Sequence, residues 1–103
     1  MGGNIKIIGL FEKTIKVDNK DITFKVKDLL SSAVENYQEG LKGIRNINMT
    51  IKIFNKIEAA QSKIELEDAE FDMLYKAIDA GQWNAGVLRF GEFFEELEKA
   101  KNS

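Results

Sequence analysis

Apolar and polar residues alternate in the first quarter of the chain and then change to a helical period. Ile5 to Phe11 reads Ile-Lys-Ile-Ile-Gly-Leu-Phe, and its β-branched content predicts a strand in which Gly9 permits a bulge or bend. Thr14–Val17 and Ile22–Val26 alternate on either side of Asp18-Asn19-Lys20-Asp21. Asn and Asp accept turn conformations, so this pattern predicts a β-hairpin closed by a four-residue loop. Ile15 and Val17 would share a face with Ile22, Phe24 and Val26. A lone hairpin is marginal in water, and that face is expected to pack on helices.

Helical spacing begins after Asp28, an expected N-cap. Leu29, Leu30, Ala33, Val34, Tyr37 and Leu41 fall on one face, and Gly40 and Gly43 mark the end. A second helix is expected from about Ile44 to Ala60. Ile44, Ile47, Ile51 and Phe54 form a heptad-like stripe, with Met49, Ile53 and Ile57 lying off it. The combined apolar arc exceeds roughly 200°, more than one packing surface needs. This favours a central helix contacted from two sides, the alternative being that part of it forms an interface. Ile64-Glu65-Leu66 alternates as a brief strand able to pair with the hairpin. A third helix opens on Glu67-Asp68-Ala69-Glu70, where acid complements the helix dipole, and ends at Gly81. The fourth runs from about Ala85 to Lys101, with Val87, Phe90, Phe93, Phe94 and Leu97 on one face and glutamates opposite. Gly91 within it is expected to permit close helix approach. The fold class is therefore α+β: an N-terminal β-hairpin, with scope for a third strand, packed on a bundle of about four helices.

Composition narrows the chemistry. The chain has 103 residues, one domain's length, spanning 1–103. Gly2-Gly3 reads as an appended scar, so residues 1–4 are expected to be disordered or foreign to the domain. There is no Cys, His or Pro. Thiolate nucleophiles, disulfides, cysteine-ligated metals and the usual neutral-pH general base are all missing. Ser–His and Cys–His catalysis is ruled out. No apolar run approaches the ~20 residues of a bilayer span. The N-terminus lacks a signal-peptide pattern, and Lys6 breaks a myristoylation motif, so a cytoplasmic protein without a membrane partner is expected.

Charge divides the chain. Residues 1–56 hold ten Lys/Arg and six Asp/Glu, whereas 57–103 hold five and eleven. The two halves are expected to attract one another within one fold, or between subunits of a polar assembly.

Candidate sites are few. Glu65, Glu67, Asp68, Glu70 and Asp72 lack the central Gly and alternating ligands of a calcium loop, and read as a capped helix start. Gly81 and Gly86 lack the Lys-Ser/Thr of a phosphate loop. Lys13, Lys16, Lys20, Lys25 and Lys27, with Phe11 and Phe24, loosely suggest a single-strand nucleic-acid surface, but only Arg45 supplies a guanidinium in that half. No catalytic, metal or cofactor-binding residue is assigned, and no small-molecule substrate is expected. The candidate interface consists of Met49, Ile53, Ile57, Trp83, Phe90, Phe93 and Phe94, because large apolar side chains dominate contact hot spots.

The order of elements carries a resemblance. A hairpin around a polar turn precedes Leu29-Leu30-Ser31-Ser32-Ala33, and Ile64-Glu65-Leu66-Glu67-Asp68-Ala69-Glu70 opens the third helix. From about Phe11 to Leu97 the chain resembles short accessory proteins of tailed phages and prophages. The resemblance implies a phage origin and an accessory role, in host cytoplasm or on the virion. The expected function is a non-enzymatic, oligomeric protein-interaction module serving as an accessory or assembly factor. The alternatives are a regulator or inhibitor that binds a host protein such as a defence factor, and a single-stranded nucleic-acid-binding protein.

Overall fold

The structure, a computed structural model, describes residues 5–81, 83 and 85–102. The expectation for residues 1–4 lies outside them. The fold is α+β, with four strands and four α-helices among the described residues. Strand β1 (Ile5–Gly9) is followed by β2 (Glu12–Val17), β3 (Lys20–Lys25) and helix α1 (Val26–Glu35). Helix α2 (Ile44–Ala59), strand β4 (Lys63–Glu67), helix α3 (Asp68–Ala80) and helix α4 (Gly91–Lys101) complete the order.

The strands form two separate antiparallel pairs. β4 pairs with β1, not with the hairpin, in the register Ile8↔Ile64 and Lys6↔Leu66. Alternation then buries Ile8, Ile64 and Leu66 against the helices and leaves Ile5 and Ile7 outside. Gly9 pairs with Lys63 in an unbroken ladder, so the expected bulge is absent.

β2 and β3 form the hairpin with Ile15↔Ile22 and Lys13↔Phe24 opposed. The loop is two residues, not four. Asp18 and Asn19 take φ of 52° and 65°, the paired left-handed geometry of a type I′ turn, whose twist matches the strands. Lys20 and Asp21 therefore join β3. The apolar face does not pack fully on helices: Val17 and Ile22 are exposed, and Phe24 alone reaches an aromatic partner in the core, edge-on to Phe90 at 5.9 Å. The molecule measures 50 × 27 × 24 Å, as suits a ribbon standing off a small helical body.

The helix boundaries also differ from those the periodicity predicts. Val26 begins α1 rather than ending the hairpin, with Lys25 as N-cap and Asp28 in the first turn. α1 stops at Glu35, and a 3-10 turn over Gln38–Leu41 replaces the expected last helical turns. There Gly40 is pressed against α2, where a Cβ would stand 2.7 Å from Thr50 Oγ1 and 3.1 Å from the Tyr37 ring. Thr50 Oγ1 donates to the Gly40 carbonyl at 2.8 Å. Ala85–Phe90 is 3-10 and α4 starts only at Gly91, which faces open space rather than a neighbouring helix.

The core gathers Val26, Leu30, Ile53, Ile57, Leu66, Leu74 and Phe93, all essentially without solvent contact. Two lysines fasten helix ends. Lys27 Nζ donates to the carbonyls of Glu58 and Ala60 at the end of α2, and Lys6 Nζ to that of Ala100 in α4. Both place a cation at the carbonyl end of a helix, where it complements the helix dipole.

Candidate interaction surface

The sequence-derived interface residues turn inward. Ile53, Ile57, Phe90 and Phe93 are buried, and Met49, Trp83 and Phe94 are half-buried against the core. Trp83 plugs the end of α3, its indole N–H donating to the Ile78 carbonyl at 3.1 Å. Phe93 and Phe94 stack edge-to-face at 5.3 Å. In this fold Ile53, Ile57, Phe90 and Phe93 are core side chains, not the exposed contact residues expected of them.

The heptad-like stripe takes the opposite place. Ile44 is 81% exposed, Ile51 51% and Ile47 37%, and Leu41 on the preceding 3-10 turn is 46% exposed. Phe54 remains half-buried. α2 is thus not enclosed on two sides. Its apolar arc is split between a core face and an exposed face. Beside the latter, Val34, Leu41, Ile51 and Phe54 line a groove of about 280 Å³ between α1 and α2. Arg45, Asn48 and Lys52 are exposed along the same helix.

Polar contacts on the inner side set this rotation of α2. One is the Thr50–Gly40 bond. The other is Glu70 on α3, fully buried, whose Oε1 accepts from Lys56 Nζ at 2.6 Å and from the Glu67 backbone N–H at 2.9 Å. The latter bond is half of a capping box. Lys52 Nζ stands 3.9 Å from Oε2, which has no hydrogen-bond donor among the described residues. Burial alone would raise the Glu70 pKa. The bonds from Lys56 and Glu67 and the charges of Lys56 and Lys52 outweigh it and hold the carboxyl below its ordinary value. Here the basic and acidic halves of the chain meet inside one molecule.

The acidic segment does not assemble a cation site. Glu70 is spent on Lys56, and among the described residues no three acidic side chains converge to hold a metal. The hairpin lysines divide by register. Lys13 and Lys20 lie on the Ile15 face, and Lys16 and Lys25 on the other, interleaved with Glu12 and Asp21. Lys25 pairs with Glu12 at 3.9 Å. Phe11 and Phe24 pack on Phe90 rather than standing free as stacking platforms. Among the described residues, no helix is long and apolar enough to cross a membrane.

Comparison with protein-family models, with curated proteins and with solved structures finds no match.

Proposed function

We propose that this protein is a non-enzymatic interaction module that self-associates through the exposed face of α2. One observation carries the reading: Leu41, Ile44, Ile47 and Ile51 expose large aliphatic side chains on one continuous surface. Such a patch, roughly 400 Å², reaches the size at which monomer surfaces become functional contacts. An accessory role in phage assembly, the expectation drawn from the sequence resemblance, suits a contact module of this size.

Light scattering and sedimentation velocity across the micromolar range test the reading. The wild type should associate, and Ile44→Glu and Ile51→Glu should be monomeric with unchanged melting. A wild type that stays monomeric throughout removes self-association. A second reading, that the same aliphatic face docks a different protein, rests on the apolar groove that Val34, Leu41, Ile51 and Phe54 form beside it. In that case a pull-down should retain a partner with the wild type and lose it with Ile51→Glu.

A further inference from the structure

Residues of α3 and α4, together with Trp83, line a cleft of about 270 Å³ that no residue of the α2 stripe borders. Tyr75, Trp83 and Phe94 contribute three aromatic rings to its lining, and Asp79 and Glu98 two carboxylates. Gly81 also lines it. We propose that this cleft is a binding site for an organic ammonium ion, a methylated or quaternary nitrogen on a short stem.

Aromatic faces carry negative quadrupole potential and attract cations, most strongly when several rings surround a poorly hydrated one. The rings are held in place. Trp83 is fixed by its bond to the Ile78 carbonyl, and Phe94 by edge-to-face contact with Phe93 in the core. Gly81 makes room for the indole, since a Cβ there would lie 3.0 Å from Trp83 ring atoms. The Tyr75 hydroxyl donates to Glu98 Oε1 at 2.6 Å, which orients both groups. The local field is negative. The Tyr75 hydroxyl is harder to ionise than usual because of its bond to Glu98, with burial and the charges of Glu98 and Asp79 adding. Tyr75 already holds one ammonium, Lys101 Nζ at 4.4 Å from its ring centroid, paired with Asp72 and outside the cleft wall. The volume lies just below the ~300–1,000 Å³ of drug-sized sites, which suits a headgroup rather than a large ligand.

Trp83 is the only tryptophan, so its fluorescence reports occupancy directly. The full chain is titrated with tetramethylammonium, with a trimethyllysine peptide and its unmodified lysine counterpart, and with the neutral isostere 3,3-dimethylbutan-1-ol. Tetramethylammonium should give a saturable change in emission, and the neutral isostere none. Asp79→Asn and Glu98→Gln should each weaken binding about fivefold or more, whereas Glu95→Gln, an exposed acid outside the cleft wall, should not. Gly81→Ala displaces the indole without altering charge and should abolish the response. A peptide bound at least tenfold more tightly than tetramethylammonium identifies a methylated lysine in a protein as the source. Equal affinities identify a free small cation. Equal binding of the neutral isostere, a non-saturating response, or an equal loss in Glu95→Gln would overturn the proposal.

Discussion

Ile51 and Ile53 stand two positions apart on α2 and have opposite fates. Ile53 is fully buried, while Ile51 is half exposed. Ile53→Ala removes core contacts and leaves a cavity, so it should cost about 2–5 kcal/mol. Ile51→Ala should stay within about 0.5 kcal/mol. Urea denaturation with an unchanged m-value checks both. Glu70 makes a different residue-scale case. Its carboxyl is held below the ordinary value in the folded state. The contribution of its bonds to Lys56 and Glu67 is therefore complete above the unfolded carboxyl pKa and is lost as pH falls through the folded one. Glu70→Gln should cost about 1.5–3 kcal/mol at neutral pH, the worth of hydrogen bonds to a charged group. The gap between wild type and variant should close in acid. A gap of constant size down to strongly acid pH would show that the ionised carboxylate is not what matters.

Among the elements, local alternation and composition made the strands and most helices legible, while pairing and rotation were not. The β2–β3 hairpin was readable because Ile15, Val17, Ile22 and Phe24 alternate around a polar turn, but the loop length depended on Asp18 and Asn19 both taking positive φ. Nothing local could tell Ile64-Glu65-Leu66 that its partner is β1, a strand more than fifty residues away. The rotation of α2 escaped for a related reason. Two apolar stripes were visible, and the choice between them was made by Thr50 meeting Gly40 and Lys56 meeting Glu70, contacts that periodicity does not count. The stripe that stands exposed on α2 is Ile44, Ile47 and Ile51, while Ile53 and Ile57 enter the core. The hairpin tip provides the element-scale experiment. Left-handed backbone costs most residues roughly 1–2 kcal/mol more than Asn, Asp or Gly. Asn19→Ala should accelerate amide exchange in β2 and β3 while leaving the melting of the helical body nearly unchanged, because the tip lies outside the core. A fall in global stability as large as the local one would show that the hairpin and helices unfold together.

At the scale of the whole molecule, two forces compete to explain how copies would meet. The charge division between the halves of the chain could join basic and acidic ends head to tail, as the sequence allows. The structure shows opposite charges already satisfying one another within a molecule, at Glu70 with Lys56 and Lys52. Among the described residues, Leu41, Ile44, Ile47 and Ile51 instead leave aliphatic surface uncovered. Salt separates the two cases. Raising ionic strength from 0.1 M to 1 M shortens the Debye length from about 10 Å to about 3 Å and weakens contacts between exposed charges. Sulfate strengthens apolar association, being excluded from protein surfaces. Self-association through Leu41, Ile44, Ile47 and Ile51 should therefore persist or tighten in molar sodium sulfate, as sedimentation velocity would show. Dissociation under those conditions would assign the contact to the charged ends. The Ile51→Glu variant would then associate as the wild type does at low salt, because the interface would lie elsewhere.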